Sequence, residues 1–242
     1  MAFQRNGFRS IAAFLMTLLA VMATAARAGP PFITDDPEPT ELHKWEIYNF
    51  AGFSRVDGIN AFDTGIDLNY GAVKDVQLTM VLPLHTETGQ PLVLGDVQMA
   101  AKVKLLHQKP GTASVDLTFF PRVFLPTGRG SRHMQLLLPV WVQRDAGKWS
   151  VFGGGGYTIN PGAGNHDFWV RGLVVTRAVR NGFQVGLEYF GQGVSGDGER
   201  RLDGINLGTV IHIDGPYSLL ASFGQGLNRP QTIAYTALKL DF

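Results

Sequence analysis

Residues 231–242 read QTIAYTALKLDF, and Thr232, Ala234, Thr236, Leu238, Leu240 and Phe242 fall on one face of that run. A period of two is strand spacing. The run closes on an aromatic residue, as the last strand of outer-membrane barrels commonly does. At the other end of the chain, residues 1–28 have the form of a cleaved secretory signal. Arg5 and Arg9 precede an uncharged apolar run over 11–23, and Ala26-Arg27-Ala28 offers a small-x-small site before Gly29. Either feature alone also fits a soluble exported protein, so the case turns on what lies between them.

Working inward, the period stays at two. Trp45, Ile47, Asn49, Ala51 and Phe53 alternate with Glu46, Tyr48, Phe50, Gly52 and Ser54; Thr64, Ile66, Leu68 and Tyr70 alternate with Gly65, Asp67, Asn69 and Gly71. Val76, Leu78, Met80, Leu82 and Leu84 share a face, and Val97, Met99, Ala101, Val103 and Leu105 oppose Asp96, Gln98, Lys102 and Lys104. The pattern recurs over 115–122, 135–143, 149–160, 167–177, 183–192, 204–213 and 217–226. With the terminal run this predicts about twelve strands, several near the roughly 9–11 residues that a tilted membrane strand needs. Tight connections are expected at 72–74, 109–111, 146–148, 179–182 and 214–216, and longer polar ones at 87–93, 126–134, 161–166 and 193–203. Short turns on one side and long loops on the other suit an outer-membrane barrel. A secreted β-sandwich or lipocalin-like barrel alternates in the same way with the apolar face turned inward.

Composition removes several alternatives. The formal net charge is +1 over 242 residues, with no basic cluster denser than Arg200-Arg201, so the electrostatic footprint of a nucleic-acid binder is missing. Cysteine is absent, which excludes disulfides, thiolate metal sites and thiol nucleophiles. Beyond the signal no apolar run approaches the roughly 20 residues of a spanning helix, so a membrane could be crossed only by strands.

No reaction is legible. FGGGGY, 152–157, lacks the Gly-Lys-Ser/Thr ending of a phosphate loop, and glycine in a strand more often marks a bend or close backbone approach. The six histidines show no metal-ligand spacing. Asp35-Asp36 lacks the pattern of a calcium loop, and Ser131-Arg132-His133 positions no base on a nucleophile. No catalytic, cofactor or metal residues are assigned.

The charges on the polar faces are the candidates for function. Glu46, Asp67, Asp96, Lys102, Lys104, Asp116, Arg122, Arg171, Arg177 and Glu188 lie opposite apolar residues. Facing lipid, a midplane Lys or Arg costs about 2–4 kcal/mol, so all ten are expected to line a lumen. Residues 29–43 precede the first strand and open GPPFITDDPEPT, too rich in proline to continue a ladder. Two uses stay open for it: a periplasmic tail, or a plug whose Asp35, Asp36 and Glu38 meet lumen Arg and Lys.

GPPFITDDPEPTELHKWEIY, DLNYGAVKDVQLTMVLPL, GDVQMAAKVKLL, FPRVFLPTGRG, LPVWVQRDAGKWSVFGGGGYTINPG and the final strand resemble the outer-membrane barrel family named for the phenol-degradation meta pathway, whose members are often labelled transporters. The resemblance spans nearly the whole chain after the signal and implies an outer-membrane protein of a Gram-negative bacterium that admits aromatic or other hydrophobic small molecules. It carries no catalytic residues. The 126–134 loop departs from the family in lacking an acidic residue after Pro-Thr-Gly.

The sequence therefore predicts an all-β antiparallel transmembrane barrel of about twelve strands over 44–242, acting as a passive pore or facilitator. The expected partners are outer-membrane lipid, a small-molecule solute and the barrel-insertion machinery, with Phe242 as the assembly signal; nucleic acid is not among them. A structural or interaction barrel with a plugged lumen is the alternative, and a lipid-modifying enzyme comes third.

Overall fold

A computed structural model describes residues 31–128 and 131–242; the signal expected over 1–28 lies outside the described residues, as do Gly29 and Pro30. The strands are β1 Trp45–Val56, β2 Ile59–Val73, β3 Val76–Glu87, β4 Val93–Leu94, β5 Val97–Leu106, β6 Asp116–Phe119, β7 Arg122–Leu125, β8 Gln135–Ala146, β9 Trp149–Ile159, β10 Phe168–Arg180, β11 Phe183–Gln192, β12 Leu202–Asp214, β13 Tyr217–Gly226 and β14 Gln231–Asp241. All pairings between them are antiparallel. β14 returns to β1 in unbroken register, from Glu46 opposite Asp241 to Val56 opposite Gln231, so the sheet closes on itself.

β6 and β7 are two halves of one stave. β5 pairs with both, through Val103–Phe119 and Ala100–Arg122, and so does β8, through Val140–Phe119 and Leu137–Arg122. The break falls at Phe120-Pro121, where proline has no N–H to give the ladder. β4 is a short strap folded back onto β3. The result is a closed antiparallel barrel of twelve staves.

Two connections differ from expectation. The alternation read from the sequence pauses between Ser54 and Thr64, yet β1 and β2 run on to a turn at Asp57-Gly58. Both residues take positive φ, 49° and 91°, the mirror-image turn whose twist matches that of the strands. The tight turn expected at 109–111 is instead a loop over 107–115, held where Gln108 N donates to Asp116 Oδ1 (2.9 Å) and Gln108 Nε2 to the Asp145 carbonyl (2.8 Å). At this same end, 74–75, 147–148, 181–182 and 215–216 are short turns, while 126–134, 160–167 and 193–201 connect strands at the other. By the habit of outer-membrane barrels, the short-turn end is periplasmic.

The apolar face points out. Trp45, Leu78, Leu82 and Leu187 are exposed, and Ile47, Val103, Leu138 and Leu240 share their face by register. A solvent-facing exterior of this kind would be a liability; against lipid it is the low-energy surface. Aromatic pairs mark both rims: Trp45–Tyr70 at the periplasmic end, with ring centroids 4.7 Å apart, and Phe53–Phe62 (5.0 Å) and Tyr157–Trp169 (5.2 Å) at the far end. Trp45 and Phe53 are eight positions apart on one strand, about 26 Å of extended chain. At the usual tilt this spans roughly 20 Å of membrane normal, close to the ~25 Å apolar band of such barrels.

The candidate functional site: a lumen shared by a charged wall and the N-terminal segment

Residues 31–40 run inside the barrel, and residues 41–44, exposed at its periplasmic end, join them to β1. The segment leaves the wall at the periplasmic end, where Leu42 bridges Gly71 and His43 N donates to the Gly71 carbonyl (2.7 Å). It then crosses to β10–β13. Thr40 N donates to Gln77 Oε1 (2.8 Å), Thr118 Oγ1 to the Pro37 carbonyl (2.6 Å) and Ser222 Oγ to the Pro31 carbonyl (2.9 Å). A proline-rich stretch cannot satisfy its own backbone, so side chains of the wall do so.

Glu188 anchors its far part. Fully buried on the inner face of β11, it accepts Ile33 N (3.1 Å), Thr34 N (2.7 Å) and Asn206 Nδ2 (2.9 Å). Three inward glycines make room there. A methyl group on Gly172 would collide with Thr34 Oγ1, and on Gly186 or Gly208 it would lie 2.6 Å from the Phe32 ring. Phe32 also meets Phe152 edge to face, centroids 6.2 Å apart. With Trp141, Val174, Phe190 and Leu220 buried on the same side, the β8–β13 half of the lumen is filled.

The segment's carboxylates meet the opposite wall. Asp35 pairs with Arg122; Asp36 lies 3.4 Å from Lys102 Nζ, which also donates to the Glu38 carbonyl at 3.2 Å; Glu38 pairs with Lys104 at 2.5 Å. Lys104 in turn reaches Asp116 at 3.0 Å. Burial lifts the Asp36 carboxyl from 3.8 to about 6, against the pull of Lys102.

Other charges complete the lining. Glu46 accepts the Tyr48 hydroxyl (3.0 Å) and pairs with Lys239 (3.2 Å). Asp67 accepts Asn69 Nδ2 (2.9 Å), whose Oδ1 takes bonds from Gln77 and Thr79, each at 2.6 Å. Asp96 stands at the far mouth, accepting Gly128 N (2.8 Å) and Ser131 Oγ (2.7 Å).

Two of the ten expected lumen residues are elsewhere. Arg171 and Arg177 share the outward face of β10 with Leu173 and Val175. Arg177 lies over the Trp149 ring, 5.2 Å from its centroid, at the periplasmic rim. Arg171 pairs with Asp203 near the far rim, across Gly191, and Tyr189 Oη donates to the same carboxylate (2.7 Å). Charge near an interface costs little beside charge at the midplane, and here a carboxylate offsets the arginine.

Beside the segment, a cavity of about 240 Å³ opens along β1–β3, β5, β7 and β14, lined by charges and by Tyr48, Phe50, Phe120 and Tyr235. A second, of about 370 Å³, continues toward the far mouth, and Phe50 and Gln98 line both. The four aromatics lie on the face that also carries the charges, a break in binary pattern visible in the sequence. The groove glycines and Phe32 give no such signal. Among the described residues no cluster of three His, Asp or Glu side chains could hold a metal ion.

No family model matches the sequence, and neither does any curated protein. Solved structures do match. An outer membrane channel from Pseudomonas putida F1 superposes with a TM-score of 0.68 at 15% identity, over 86% of this chain and 98% of that one. The KdgM porin, solved with disordered oligogalacturonate, gives 0.59 at 9% identity over 81% and 99%, and the NanC porin 0.56 at 10% over 80% and 98%. The chain thus has the fold of outer-membrane barrels.

Proposed function

We propose that the protein is a passive, non-enzymatic outer-membrane channel for small solutes, with residues 31–40 as a plug that narrows it. The observation that carries this is the pair of cavities meeting at Phe50 and Gln98, lined by ionised and aromatic groups where a purely structural barrel would pack solid. Twelve staves fall between the eight that side chains can fill and the sixteen that leave a wide channel, so a restricted path is the physical expectation. Tyr48, Phe50, Phe120 and Tyr235 favour solutes with an aromatic or otherwise apolar body. The resemblance to the phenol-pathway family points the same way. Phe242 is the outward-facing end of the last stave, where the insertion machinery would read it.

The packed β8–β13 half of the lumen supports a second reading, a structural barrel with a filled interior. Single-channel recording in planar bilayers, beside uptake of a small aromatic solute into proteoliposomes, separates the two. The channel reading expects discrete conductance steps and uptake. A folded, heat-modifiable barrel with neither would establish the structural one.

A further inference from the structure

The segment's acidic side chains are placed as a ligand would be. The partners of Asp35, Asp36 and Glu38 are Arg122, Lys102 and Lys104, which all come from the adjoining staves β5 and β7.

Those three cations form one basic wall. Phe120 lies within it, its ring centroid 4.9 Å from Lys102 Nζ and 4.4 Å from Arg122 Cζ. The lower cavity is lined by five carboxylates, Asp35, Asp36, Glu38, Glu46 and Asp67, against three cations, Lys102, Arg122 and Lys239. Without the segment's three carboxylates the balance becomes two against three, so the segment sets the sign of this cavity's charge.

We infer that the wall of Lys102, Lys104, Arg122 and Phe120 is a carboxylate-binding site, occupied in the plugged state by the segment's own carboxylates, and that its ligand is a small organic acid with a flat apolar body. Charge-assisted hydrogen bonds from two or more cations recognise the carboxylate, the buried Phe120 ring backs those cations, and the half-buried Phe50 and Tyr235 rings, which line the same cavity, receive the apolar part. The inference rests on the channel reading only in making that acid the solute that passes.

The test is calorimetric titration of benzoate, and of benzyl alcohol as its neutral counterpart, into the detergent-folded full chain. In the variant Asp35→Asn/Asp36→Asn/Glu38→Gln, benzoate is expected to bind about tenfold more tightly than in the wild type, the value of one charge-assisted bond. Adding Lys102→Gln and Arg122→Gln should return benzoate to the level of benzyl alcohol. A triple variant that binds benzoate no better than benzyl alcohol overturns the site. If the triple variant does not fold, the single variants Asp35→Asn and Asp36→Asn replace it, since each vacates one cation of the wall, Arg122 or Lys102, and leaves the rest of the segment in place; the same outcomes apply. Bilayer recordings on the same proteins keep the two readings apart. Benzoate binding without conductance overturns the channel and keeps the site, whereas conductance without preferential benzoate binding does the reverse.

Discussion

Gly172, Gly186 and Gly208 fix where the N-terminal segment lies, because each gives up a side chain on the inner face of β10, β11 or β12 at the point where Thr34 or Phe32 approaches. Gly172→Ala is therefore expected to drive the segment off the wall, at an overpacking cost of about 1–3 kcal/mol. Limited proteolysis in proteoliposomes checks this: residues 31–40 should become cleavable while the barrel stays heat-modifiable, and unchanged protection would count against the groove. Alternation told which face each glycine occupies but could not tell that a distant segment would press against it. Arg171 and Arg177 show the opposite case. Their parity with Leu173 and Val175 is legible in the sequence, yet the cost of charge in lipid argued for the lumen; their height near the rims, which the sequence does not give, removes most of that cost.

Among the elements, β10, β11 and β12 are tied on the outside by one polar clasp. Arg171 reaches Asp203 over Gly191, and Asp203 also accepts Tyr189 Oη (2.7 Å) and Asn228 Nδ2 (3.0 Å). Asp203→Ala leaves Arg171 on the lipid-facing surface without its carboxylate, and should lower barrel stability by about 1–2 kcal/mol, since the site is nearer the rim than the midplane. Urea unfolding in lipid vesicles measures it, and a shift no larger than that of Asp197→Ala in the far loops would show the clasp to be inert. The strands themselves were readable from period and turn residues. The split of one stave at Phe120-Pro121 was less so, because a proline flanked by good strand residues reads equally as an end or as an interruption.

At the scale of the whole molecule, docking of the segment is linked to pH through Asp36. Its carboxyl is raised from 3.8 to about 6, burial being the main cause and Lys102 the main opposing charge, with Glu46 and Asp35 adding to the rise. A raised carboxyl favours the protonated form in the docked state. Its contribution to docking is therefore full below about pH 4 and is lost as pH rises through 6. Protection of residues 31–40 from protease should be greater at pH 5 than at pH 7.5, and Asp36→Asn should flatten the difference; a slope of the opposite sign would show that the Lys102 pairing outweighs burial. By itself the sequence determined a chain of alternating strands closing in an antiparallel barrel, because period, turn chemistry and the cost of charge in lipid are local properties. Only the tertiary structure decided that residues 31–40 lie inside, which half of the lumen is filled, and that Asp35, Asp36 and Glu38 meet Arg122, Lys102 and Lys104. Those contacts join residues far apart in the chain, and they exist because a closed barrel encloses a volume that no single strand can specify.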